Sequence, residues 1–168
     1  PEEDQARDRK RVREVVVGFE PAREGMAEVG RDARLERRCD LDAARAIEAV
    51  LGTVVQSARS LCRADVAQIH LMEGELLKLA RSSGLSQEGI DYIARHPAGA
   101  DRGSLIGRVS LYGRPQQITD VVADPDYGRL EVQRLTGLRT TLGVPMMLDD
   151  ELVGVLNVWR IEVEPFGD

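Results

Sequence analysis

Aromatic residues are scarce in this 168-residue chain, which has one Trp, three Tyr and two Phe, 4% in all. A core must be built from Ala, Val, Leu and Ile, and the base-stacking platforms that hold single-stranded nucleic acid have little to be made from. Basic residues are not in excess: 23 Lys and Arg against 29 Asp and Glu leave a formal charge of −6, whereas phosphate-backbone binding needs clustered cations. The run Arg7, Arg9, Lys10, Arg11 and Arg13 is interleaved with Glu2, Glu3, Asp4, Asp8 and Glu14, the pattern of a solvated helix face. No nucleic-acid partner is expected. Cys39 and Cys62 are the two cysteines, too few for a disulfide framework or a Cys-rich zinc site, which points to a reducing, cytoplasmic home. No apolar run approaches the roughly 20 residues that cross a bilayer, so no membrane insertion is expected.

Reactive material is equally thin. The sequence holds two histidines, no Gly-rich phosphate loop ending in Lys-Ser/Thr, and no His-Glu-x-x-His, so no enzyme activity is expected. Asp120, Asp124 and Asp126 could hold a cation, but Asp124-Pro125-Asp126 is turn chemistry first, and no metal site is assigned. The chain opens on Pro1 and closes on Glu164-Pro165-Phe166-Gly167-Asp168, which reads as a piece of a longer protein.

What is present is periodicity. Val12, Val15, Phe19, Ala22, Met26, Val29 and Ala33 recur at steps of three and four, a helical seam that wants either a partner helix or its own core. Pro21, Gly18, Gly25 and Gly30 argue for two pieces broken near Glu20-Pro21. Asp40 is expected to cap a second helix through about Cys62, with Leu41, Ala44, Ile47, Val50, Leu51, Val54, Val55, Ala58 and Leu61 as its core face. Strands are expected over 64–72 and 75–82, turning at Glu73-Gly74-Glu75, and over 139–148 and 152–160, turning at Asp149-Asp150. Between them lie a short helix from Ser86 to His96-Pro97, a helical turn over 104–111, a short strand over 115–118 and a helix over 130–135. This order predicts an α+β fold: a central antiparallel β-sheet with helices on one face and an irregular helix and loop roof on the other, enclosing a pocket. The segment 1–38 is set apart as a helical signalling and dimerisation element, and 39–168 as the domain.

Gly103-Ser-Leu-Ile-Gly107-Arg108-Val109, Gly113-Arg114-Pro115, Thr119-Asp120-Val121, Asp124-Pro125-Asp126-Tyr127, Arg139-Thr-Thr-Leu-Gly143-Val144-Pro145 and Leu152-Val-Gly154-Val-Leu156 follow one another through to Pro165-Phe166. Together, in this order and spacing, they resemble the GAF family over residues from about 40 to the end. The resemblance implies a sensory module that binds an unidentified small molecule and pairs as a homodimer through its helices. It also implies an attached output domain, such as a kinase, nucleotide cyclase, phosphatase or transcription regulator. A C-terminal helix would lie beyond Asp168. The alternative is a ligand-free GAF scaffold that acts in dimerisation or protein interaction.

Three specialised forms of the family match less well. Residues 120–138 hold no His for a haem and no Cys for a bilin, leaving His70 as the one haem-ligand candidate and the cofactor unknown. Neither cysteine falls under the roof, as GAF-like methionine sulfoxide reductases would require. In the Asn-Lys, Phe and Asp pattern of cyclic-nucleotide-binding members Trp159-Arg160 occupies the first pair, with Trp in place of Asn, Phe166 fits the Phe, and the acidic residue is not reached, a partial match. Strand alternation then nominates the pocket wall. With Ala67, Ile69 and Leu71 facing the helices, Gln68 and His70 face the cavity, joined by Asn157 and Trp159 from the last strand and Thr141 from the one before. Ser104, Arg108 and Tyr127 are expected from the roof.

Overall fold

The computed structural model describes the backbone of residues 32–167 and the side chains of residues 41–167. The seam from Val12 to Val29 and the side chain of Cys39 lie outside the described residues. Helix α1 (Asp32–Leu61) runs without a break through Asp40, so Asp40 is not the expected N-cap. Residues 32–39, rich in Ala, Leu, Glu and Arg and free of Gly and Pro, favour helix continuation, and that preference outweighs the single side-chain bond a cap at Asp40 could make.

Nine elements are named among the described residues. After α1 come β1 (Val66–Glu73), β2 (Leu76–Ser83), α2 (Gln87–Arg95), α3 (Leu105–Tyr112), β3 (Gln116–Ile118), α4 (Leu130–Thr136), β4 (Thr140–Leu148) and β5 (Glu151–Arg160). The five strands form one antiparallel sheet in the order β2-β1-β5-β4-β3. This is the expected α+β architecture. Asp149 and Asp150 both take positive φ, 47° and 67°, the left-handed pair that a tight β4–β5 hairpin requires.

Alternation along the central strands divides the interior in two. Ala67 and Ile69 of β1 and Val158 of β5 pack under Val55 of α1, with Leu51, Ala58 and Cys62 alongside. The rest of the expected core face of α1 is not covered: Leu41, Val50 and Leu61 are 60%, 61% and 84% exposed. The apolar arc is broader than the strip a twisted sheet can cover. On the other face Val66 and Trp159 meet Ile93, Leu105, Val121, Tyr127, Val132 and Leu138 from the roof.

Glycine decides two close approaches. A Cβ on Gly143 would lie 2.9 Å from Val109 Cγ2 and 3.1 Å from Leu105 Cδ2, so α3 can sit directly on β4. A Cβ on Gly154 would lie 2.5 Å from the His70 carbonyl oxygen. Gly154 therefore serves the contact between β5 and β1. No helix among the described residues is long and apolar enough to cross a membrane.

Candidate functional site

The roof is held by local chemistry written into the sequence. Ser104 caps α3, its Oγ accepting from Gly107 N at 3.0 Å and donating to Asp101 Oδ1 at 3.2 Å. Gly113 ends the helix at φ 62°, a left-handed turn that glycine allows without penalty. Two bidentate ion pairs fasten the loops that follow. Arg108 donates to both Asp124 oxygens at 2.7 and 2.8 Å, and Arg139 to both Asp120 oxygens at 2.9 and 2.7 Å. Each hydrogen-bonded guanidinium holds its carboxylate below the ordinary range. The Asp124-Pro125-Asp126 loop also accepts from Asp126 N at Asp124 Oδ1, 2.9 Å away, so Asp124 is spent on turn and ion pair. Among the described residues, no group of His, Cys, Asp and Glu is placed to hold a metal ion.

Under this roof lies a cavity. The register places Gln68 opposite Asn157, and Val66 and Thr141 opposite Trp159, so these side chains share the sheet face that the roof covers. Gln68, His70, Ser104, Tyr127, Thr141, Asn157 and Trp159 all line the space. Arg108, the eighth residue nominated from sequence, does not; its guanidinium is consumed by Asp124 and by the Arg102 carbonyl, 2.6 Å from Nε. Ile93, Leu105, Ile106, Arg129, Val132 and Leu138 complete the wall, and the sequence reading missed them. Ile93, Leu105, Ile106 and Val132 lie on short helices that the sequence predicts, and Leu138 follows the end of α4. Arg129 was not legible, because it is positioned by the carbonyls of His96 and Pro97, to which its two terminal nitrogens donate across more than 30 residues.

Space open to the centre of a water-sized sphere is about 40 Å³. A buried water needs about 10–15 Å³ on that measure, so the cavity holds roughly three waters or a molecule of a few heavy atoms.

The polar wall is only partly satisfied. His70 Nε2 lies 3.2 Å from Gln68 Oε1, and Gln68 Nε2 points at Ser82 Oγ at a long 3.4 Å. Thr141 Oγ1 donates to Asn157 Oδ1 at 2.8 Å. His70 Nδ1 and Trp159 Nε1 are buried with no hydrogen-bond partner, although each side chain is 2% exposed. Leaving a buried polar atom unpaired costs about 1–3 kcal/mol. Burial, reinforced by the charge of Arg129, lowers the His70 pKa to about 3, and burial raises Tyr127 to about 12, so both are neutral at physiological pH. Cys62 packs on the α1 side of the sheet, away from this wall. His96 ends α2, its Nδ1 2.7 Å from the Tyr92 carbonyl and its ring stacked on Tyr92.

A family profile described as the GAF domain matches residues 44–168. The chain belongs to the GAF domain family. Solved GAF structures share the fold at low identity. The chain is similar to a GAF domain/HD domain protein from Geobacter sulfurreducens, 18% identical, covering 73% of this chain and 79% of that one at a TM-score of 0.62. It is similar also to the GAF domain of a phosphoenolpyruvate-protein phosphotransferase from Coxiella burnetii, 22% identical over 72% and 71% at 0.61. A third similar structure is NreA from Staphylococcus aureus, mutated in its nitrate binding site, 20% identical over 76% and 92% at 0.57. No curated protein matches the sequence.

Proposed function

We propose that this GAF domain is a cytoplasmic sensory module that binds a small molecule under its roof, pairs with a second copy, and regulates an attached output domain. The observation that carries the reading is the pair of orphaned polar atoms, His70 Nδ1 and Trp159 Nε1, on side chains that line the pocket beneath the roof. A self-filled scaffold has no use for such atoms, since buried polar groups are nearly always paired. The nitrate binding site of NreA supports a small ligand in a fold of this kind. The segment 1–38 serves as the signalling element and 39–168 as the sensor.

Transmission has a physical route in this reading. Gln68 and His70 face the cavity while Ala67 and Ile69, on the same strand, pack beneath α1. A ligand that prefers one arrangement of this strand biases α1 by its difference in affinity for the two states, and by no more. The exposed Ile47, Val50, Val54 and Leu61 of α1 offer the second copy an apolar face.

Native mass spectrometry of the purified chain, compared with its denatured mass, tests the ligand. One small molecule per chain, released on unfolding, is expected. Identical native and denatured masses per chain would contradict a retained ligand.

A further inference from the structure

The cavity wall specifies more than size. Among its lining residues there is no Asp or Glu, while Arg129 is one of them and forms no ion pair with a carboxylate among the described residues. An unpaired carboxylate would repel an anion; an unpaired guanidinium attracts one. The Trp159 indole N–H can only donate, and it is buried without an acceptor. Thr141 Oγ1 donates to Asn157 Oδ1, which leaves the Asn157 NH₂ as a further donor on a residue that lines the cavity.

His70 supplies the opposite requirement. Its ring is neutral, because burial keeps its pKa near 3, so one nitrogen carries hydrogen and the other does not. Gln68 Oε1, a carbonyl oxygen, can only accept. The reversed amide, accepting from Ser82 Oγ, would leave the hydrogen on Nδ1; with its nitrogen directed to Ser82, Gln68 turns this oxygen to His70 Nε2 at 3.2 Å, and in that orientation the ring hydrogen lies on Nε2. His70 Nδ1 is then a bare acceptor, buried and unpartnered. The wall thus offers a cation and donors to an anion, and one acceptor to a hydrogen.

We propose that the cavity takes a small, singly charged oxyanion that still carries one hydrogen, of the size and shape of bicarbonate. Trp159 Nε1 and the Asn157 amide donate to its oxygens, Arg129 supplies the compensating charge, and its O–H donates to His70 Nδ1. The inference rests on the ligand-binding reading above and narrows it to a class. Nitrate is the matched control: planar, equal in charge and in heavy atoms, but without a hydrogen. It would set a lone pair against the lone pair of His70 Nδ1.

Trp159 is the one tryptophan of the chain, so the ¹⁵N-labelled protein shows a single indole N–H resonance from the cavity wall. The full chain is titrated separately with sodium bicarbonate and sodium nitrate at matched ionic strength, following that resonance. A saturable shift is expected with bicarbonate, and binding at least about tenfold tighter than nitrate, the factor expected when a buried acceptor is left unpaired. His70→Leu, with its fold checked by amide dispersion, is expected to bring the ratio near one. Should that variant not fold, the comparison in the unaltered chain decides alone. Nitrate binding as tightly as bicarbonate, or a preference that survives His70→Leu, would overturn the proposal. So would an indole resonance that neither anion moves. In that last case a small molecule retained in the native mass spectrum leaves the sensory reading standing, and its absence removes both.

Discussion

His70 gives the sharpest stability prediction. Its folded pKa is lowered from 6.5 to about 3, so between these values the unfolded chain binds a proton that the folded chain refuses. Stability from this group is therefore complete above the unfolded value and is lost as pH falls from 6.5 toward 3. Taking the pH from about 7 to about 5 removes about 2 kcal/mol. That figure hardly depends on the folded value, because pH 5 still lies well above it. The assay is urea unfolding followed by far-UV circular dichroism, on the native chain and on His70→Gln, which cannot titrate. Every other ionisable group is common to both proteins and cancels in the difference. The native chain should lose about 2 kcal/mol more than the variant between the two pH values. Equal losses would refute the argument, and would mean that water or another partner solvates the imidazolium in the folded state.

Further outcomes follow from the roof and from α1. Arg108→Met keeps the aliphatic stem but strands Asp124 in a half-buried loop, and should cost about 1–2 kcal/mol by urea unfolding. Gly143→Ala drives a methyl into Val109 and Leu105, and should lower stability by about 1–3 kcal/mol, visible as a drop in Tm. Val50→Asp, on the exposed face of α1, should leave the fold intact by circular dichroism while shifting a dimer to a monomer by light scattering. An unchanged mass would exclude this face.

The strands of this domain were readable because their side chains alternate. In β1 the sequence Ala67-Gln68-Ile69-His70 switches between apolar and polar with period two, so the cavity face and the helix face could be told apart from one strand. Trp159 and Asn157 followed from the same rule in β5. The short helix expected from Ser86 starts there, with Ser86 Oγ accepting from Gly89 N; Ser104, expected as a roof residue of the pocket, also caps α3. The failures are non-local or competitive. Nothing near Arg108 reveals that Asp124, sixteen residues later, will claim both of its terminal nitrogens. Arg129 reaches the cavity through carbonyls on a distant loop. Asp40 has the chemistry of a cap, but the helix-forming residues before it prevail. Nor does the sequence show which neighbour comes closest to Gly154; it is the backbone of β1.

The central claim is that occupancy beneath the roof is felt by α1 through the shared strand β1. Hydrogen exchange measured by mass spectrometry on the chain as purified, and again after the cavity is stripped by unfolding, dialysis and refolding, tests it most directly. The account predicts faster exchange after stripping both in the roof, residues 99–138, and in residues 41–61 of α1. Exchange that is unchanged, or that quickens in the roof alone, would contradict it.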